Sequence, residues 1–341
     1  MLSLLFTFSC SSNTKLPAEN ENSEKKQVLD EAPTAKDLQD RGDVVAAIKA
    51  YDEQLRESPN DVSALGNRAR LLTSEGRMEA ALSDYDVLIQ IDPGNLAAHE
   101  KRAELLFDMK RFAAAKRAFD IIISHRPESA ALHNRRGMAL LEMGSVNEAI
   151  FDFDSALVYK PQWMTAHANR GTAYYELGNY DAARADFGVC GNGNPIAING
   201  LGLIAQFVQD DLVLAERKFS EATVLFPQDP SAWFNLAFIR AGENEQEEAI
   251  RLFSKVLTLD SLYFDAAINR GLIHMQMKNP SKALPDFEFV SSHLPDQSRP
   301  MLLKGWAKCE MGAWLKGCLD LADAKSLGEK EAQKLIERYC K

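Results

Sequence analysis

One period constrains this chain more than anything in its composition. Ala47, Ala81, Ala115, Ala149 and Ala183 stand 34 residues apart, and after one step of 32 the series continues through Ala215, Ala249, Ala283 and Gly317. Four residues after each comes a large apolar side chain: Tyr51, Tyr85, Phe119, Phe153, Phe187, Phe219, Phe253 and Phe287, with Leu321 last. Eight further on stands a helix stop: Pro59, Pro93, Pro127, Pro161, Pro195, Pro227, then Ser261 out of pattern, then Pro295. Within one period, Ala130 to Trp163, the residues read as two amphipathic helices. The first runs to Met143, Gly144 opens the turn, and the second stops before Pro161. Neither can bury its apolar face alone, so the unit makes sense only stacked against copies of itself. The expected fold is all-α, about eight or nine helical hairpins closed by a C-terminal capping helix.

The pattern resembles the tetratricopeptide repeat, over about Val28 to Leu327. That family places small residues where the two helices of a hairpin touch. Ala69, Ala103, Gly137, Gly171, Ala237, Gly271 and Gly305 fill this position in the first helix. Axes 8–10 Å apart require small side chains at the closest contact, and proline ends a helix because it lacks the donor and fixes φ. The resemblance implies a right-handed α-α superhelix that binds proteins and is not an enzyme.

Along the chain, Pro33 breaks the first helix of the first repeat, leaving a short helix capped by Thr34 and a regular one from Asp43 to Glu57. Repeats two to five run Val62–Asn95, Leu96–Ser129, Ala130–Trp163 and Met164–Pro195. Repeats six to eight run Ile196–Asp229, Pro230–Tyr263 and Phe264–Gln297, with a ninth unit from Ser298. The segment GVCGNGNP, Gly188 to Pro195, lacks two residues and is expected to bend the solenoid between halves 31–195 and 196–341. It follows a helix, and its glycines are out of order for a nucleotide fingerprint. After Gly328 a last helix carries Ala332, Leu335, Ile336 and Tyr339 on one face, as a terminal cap needs.

Met1 to Ser9, MLSLLFTFS, is apolar and ends in a small residue before Cys10. It resembles the end of a bacterial lipoprotein signal, which implies a lipid on Cys10, a flexible tether from 10 to 30, and a place on the cell-envelope membrane, the outer membrane first. The span is too short to cross a bilayer, which takes about 20 apolar residues. A cytoplasmic adaptor is the alternative if residues 1–9 are only an apolar chain end.

Little else suggests chemistry. The net charge of −10 and the lack of a basic track exclude nucleic acid as the expected partner. There is no H-E-x-x-H, P-loop or nucleophile elbow, so neither catalysis nor a cofactor is expected. His99, His133 and His167 repeat one position, but equivalent residues of stacked hairpins lie about 10 Å apart, too far to share a zinc ion. They are expected to pack, and no metal is expected. Arg68 with Asp84, Arg136 with Asp152, Arg170 with Asp186 and Arg270 with Asp286 recur sixteen apart, as ion pairs within hairpins worth about 0–1 kcal/mol each if partly exposed. Cys318 and Cys340 flank the Gly328 turn at near-equal distances, so an antiparallel helix pair sets them level. Either a disulfide pins the cap in an oxidising compartment, or both are buried thiols.

The resemblance also implies that the second, fifth, ninth, twelfth and thirteenth positions of each first helix line the concave face. In repeats two to five these give a polar, rather acidic wall that includes Glu100, Glu104, Asp108, Asn134, Glu142, Thr172, Tyr175 and Glu176. In repeats six to nine they give an apolar strip: Ile204, Phe207, Phe234, Phe238, Ile268, Leu272, Met275, Leu302 and Trp306. Exposed apolar strips mark partner sites. The expected ligand is an amphipathic helix or extended apolar peptide of another protein, with self-closure or a homodimer through the strip as the competing reading.

Overall fold

A computed structural model describes residues 33–340. The signal-like segment 1–9, Cys10 and the tether to residue 30 lie outside the described residues. The described chain is a series of helical hairpins: α1 (Ala35–Asp40) with α2 (Val44–Glu57), α3 (Val62–Ser74) with α4 (Met78–Ile91), and α5 (Leu96–Asp108) with α6 (Phe112–His125). Next come α7 (Ala130–Glu142) with α8 (Val146–Tyr159), α9 (Met164–Glu176) with α10 (Tyr180–Cys190), and α11 (Pro195–Phe207) with α12 (Leu212–Leu225). The last are α13 (Pro230–Gly242) with α14 (Gln246–Leu259), α15 (Phe264–Gln276) with α16 (Pro280–His293), α17 (Ser298–Glu310) with α18 (Trp314–Ser326), and the lone α19 (Glu331–Tyr339).

Each helix packs on the next in sequence, giving the expected all-α solenoid. The first helices of successive hairpins also touch, α7 with α9, α9 with α11 and α11 with α13, so the stack curves toward them and they line its inner face. The core is the periodic set itself. Phe119, Phe153, Phe187, Phe219, Phe253 and Phe287 are all fully buried beside alanines of zero exposure. The small residues opposite them are required by contact. A Cβ on Gly137 would stand 2.7 Å from Phe153, and one on Gly271 2.6 Å from Phe287.

The damaged first repeat forms as read. Thr34 caps α1 through a capping box with Asp37, and Asp43 caps α2. Repeat six does not. Its first helix begins at Pro195, with Asn194 as N-cap, and its turn before α12 is one residue longer than its neighbours'. α10 has 11 residues where most second helices have 14. The lost turn of helix and the added loop residue together make the 32-residue step. The packing glycine of this repeat is Gly202, whose Cβ would meet Phe219 at 2.4 Å. Every first-helix position of repeat six therefore sits one residue earlier than the sequence spacing suggested.

Candidate functional site

The Arg–Asp pairs form, and they do more than join two helices. Arg136 donates to both oxygens of Asp152, at 2.7 and 2.6 Å, and its remaining nitrogen donates to Asp120 of the preceding hairpin at 2.8 Å. Arg68 and Arg170 do the same, reaching back to Asp52 and Asp154, while Arg270 reaches back to the Ser254 hydroxyl. Each guanidinium clamps three helices. The hydrogen bonds to Asp152 and Asp186 hold the guanidinium pKa values of Arg136 and Arg170 above even the usual arginine range. The within-hairpin carboxylates are buried (Asp152 at 1% exposure), so the surface-pair energy does not apply to them. In repeat three Ala118 replaces the aspartate. Arg102 there turns back to Asp86, and Nδ1 of His99 is left without a partner.

The three histidines hold loops as well as pack. Nε2–H of His99, His133 and His167 donates to the carbonyl of Pro93, Pro127 and Pro161, six residues earlier, at 2.8–3.0 Å. Trp233 makes the same bond to Pro227 through its indole N–H. No cluster of metal-ligating side chains is found among the described residues. No described helix is long and apolar enough to cross a membrane.

On the inner face the apolar strip divides. Phe207 and Phe238 are exposed, at 62% and 44%, while Phe234, Ile268, Leu272 and Trp306 are half-buried. Ile204, Met275 and Leu302 are closed to any partner. Ile204 is buried because repeat six starts one residue early, which turns it into the core alongside the positions of Ala173 and Ile239 and leaves Leu203 on the groove. Leu302 is covered by α19, whose Ala332, Leu335 and Ile336 pack onto it, and Met275 is enclosed with Phe287 and Leu303. In the acidic wall, Asn134 is likewise buried, accepting from Nδ2 of Asn169 across α7 and α9. Cys318 and Cys340 are joined across the last turn, with Cα atoms 5.8 Å apart. Cys190 and Cys309 are buried thiols.

The concave face opens into a cavity of about 440 Å³ where α9, α11 and α13 meet. Its walls include Tyr175, Ile196, Asn199, Leu203, Phe234 and Tyr263, with Asp229 at the start of α13. Gly200 keeps this space open, standing where α9 and α13 carry Asn169 and Asn235 and lying so close to Phe187 that a Cβ would be 2.4 Å from the ring. Phe234 stacks on Tyr263, ring centroids 5.0 Å apart. Burial raises the phenol pKa of both Tyr175 and Tyr263. Beside the cavity, burial and then the neighbouring Glu142 raise the carboxyl of Glu176. Of the expected strip only Phe234 lines this cavity. Thr172 and Tyr175 come from the expected polar wall, while the α11 walls, Ile196, Asn199 and Leu203, were hidden by the register of repeat six, whose displaced glycine, at 202 rather than 203, was the signal present in the sequence.

Models of the tetratricopeptide repeat match residues 33–95 and 140–188, and, for a second model, 72–136. No curated protein matches the chain. Among solved structures, the crystal structure of the APC/C hetero-tetramer Cut9–Hcn1 is similar with a TM-score of 0.59 and 16% identity, over 86% of this chain and 59% of that one. The chain thus spans under two thirds of that protein's length, and the likeness is one of fold. A tetratricopeptide repeat protein from Parabacteroides merdae aligns over 82% of this chain and 99% of its own, with 15% identity and a TM-score of 0.41. MamA from Desulfovibrio magneticus RS-1 aligns over 45% of this chain and 87% of its own, with 18% identity and a TM-score of 0.43. Residues 33–136 and 140–188 thus match tetratricopeptide repeats, and the described helix pairs as a whole share the solenoid fold that such repeats build.

Proposed function

We propose that this protein is a non-enzymatic scaffold that grips a segment of a partner protein along its inner face. The observation that carries the reading is the open cavity between α9, α11 and α13, two of whose helices also carry the exposed rings of Phe207 and Phe238. Such a cavity is in the range of ligand sites, and aromatic anchors beside it suit the role of hot spots. A photo-crosslinking residue at Phe238, compared with one at the still more exposed Phe151 on a second helix, tests it. Crosslinks to a partner from position 238 and not from 151 are expected. Equal capture at both positions, or only the protein's own peptides crosslinked from 238, would remove the partner-groove reading, the second outcome in favour of a homodimer.

The apolar start and Cys10 further support a lipid tether that holds this scaffold at a cell-envelope membrane. Fatty-acid labelling that is present in the wild type and absent in Cys10→Ala is the expected result. Unlabelled protein in the soluble fraction would return the cytoplasmic reading.

A further inference from the structure

The cavity between α9, α11 and α13 is walled almost entirely by neutral groups, with one exception. Asp229 is its only charged lining residue, it is half-buried, and it has no ion pair among the described residues. Its oxygens accept from the backbone N–H of Ser231 at 2.9 Å and from Nδ2 of Asn199 at 3.0 Å, both neutral donors. Asn199 is itself buried at 7% exposure, and its Oδ1 has no hydrogen-bond partner. The rings of Tyr175, Phe234 and Tyr263 make up much of the remaining wall. Glu176, adjacent to Tyr175, and Glu142 on α7 likewise lack ion pairs among the described residues, and no lysine or arginine lines the cavity.

A wholly apolar ligand would desolvate the Asp229 carboxylate without compensating it, which is costly. An anion would be repelled. A cation relieves both problems, and aromatic faces add to its binding. Of the two basic side chains, arginine suits the site better. Its planar guanidinium stacks on rings, is less strongly hydrated than an ammonium, and presents a fork of donors to a carboxylate and an amide oxygen. We propose that this cavity is a pocket for an arginine side chain of an extended partner segment, with the residues flanking that arginine lying along Phe238 on one side and toward Glu176 and Glu142 on the other. The proposal rests on the inner face being the partner site, and the net charge of −10 draws a basic segment toward it at long range.

The test uses the full chain and fluorescence anisotropy with a labelled twelve-residue peptide of alternating arginine and leucine. Two variants of the peptide carry citrulline or glutamate in place of arginine, and acetyl-arginine amide serves as a free competitor. At least tenfold weaker binding is expected for the citrulline peptide, and none for the glutamate peptide. Asp229→Asn is expected to weaken the arginine peptide at least tenfold while melting like the wild type, because asparagine caps a helix as well as aspartate does. Asp181→Asn, at an exposed carboxylate of α10, removes the same charge and should change affinity less than twofold. Should Asp229→Asn melt lower, Tyr175→Leu decides, with a loss of at least threefold expected from the missing ring. Equal binding of the arginine and citrulline peptides would overturn the proposal. So would equal losses from Asp181→Asn and Asp229→Asn, or acetyl-arginine amide competing as strongly as the peptide. Crosslinking from position 238 together with no arginine preference would sink the pocket and leave the scaffold; no crosslinking on the inner face would sink both.

Discussion

Asp152 illustrates how burial changes the meaning of a charge pair. Its side chain is 1% exposed, accepts two hydrogen bonds from Arg136, and lies 3.4 Å from Nδ1 of His133. Asp154, which accepts from Arg170 at 2.5 Å, is 48% exposed. Removing the first leaves the half-buried Arg136 guanidinium with Asp120 as its remaining carboxylate partner, at a cost of up to about 3–5 kcal/mol. Removing the second should cost about 0–1 kcal/mol. Asp152→Ala should therefore unfold α7 and α8 at markedly lower urea than Asp154→Ala, and equal midpoints would refute the three-helix clamp. His274 supplies a pH dependence. Burial lowers its pKa from 6.5, and its Nδ1 has no hydrogen-bond partner. A depressed folded-state pKa contributes stability that is present above the unfolded value and lost as pH falls through the folded one. Thermal melts should accordingly show wild type losing stability below about pH 6.5 more steeply than His274→Phe. Parallel curves would show that His274 does not drive the loss. The pairing of these residues was legible in the sixteen-residue spacing, but its energy was not, because spacing carries no information on solvent exposure.

For whole helices the decisive quantity is the distance between axes. Gly66 on α3 has open space where a Cβ would stand, whereas Gly137 on α7 has the Phe153 ring at 2.7 Å. Both lie in helix interiors, where alanine is favoured over glycine by about 1 kcal/mol. Gly66→Ala should stabilise the second repeat by roughly 0.5–1 kcal/mol. Gly137→Ala should instead destabilise the fourth by about 1–3 kcal/mol, because the ring fills a packed core and must move. Denaturant melts of the two variants should shift in opposite directions; shifts of the same sign would show that the helix pair can part to admit a methyl group. Small residues at this position were readable from the period, and so were the helix stops, except that α10 ends at Cys190 and Pro195 opens α11 instead of closing α10. The one-residue offset of repeat six was not read, because the 32-residue step shows only the net loss of two residues and not its division into three removed from α10 and one added to the α11–α12 loop.

In a solenoid each unit touches only its neighbours, so a local change should remain local. The Cys318–Cys340 link closes a loop of 22 residues around the last turn and holds α19 against α17 and α18. A link of this span stabilises by about 3 kcal/mol. Reduction of oxidised protein should speed amide exchange in α18 and α19 and leave α7 and α8 unchanged; uniform acceleration along the chain would contradict nearest-neighbour stability. The 34-residue period alone determined that the chain is a stack of helical hairpins, which alanines and rings form the centre of its core, and where most of its helices stop. Those features follow from the local apolar pattern and from proline chemistry, repeated often enough to leave one solution. Which inner-face side chains remain open was decided only in three dimensions. Ile204 is turned inward by a register shift, Leu302 is roofed by α19, and Asp229 with Tyr175 and Tyr263 comes to one cavity from three different helical hairpins. A sequence period states which face of a helix a residue occupies, while accessibility depends on how closely the neighbouring axes approach.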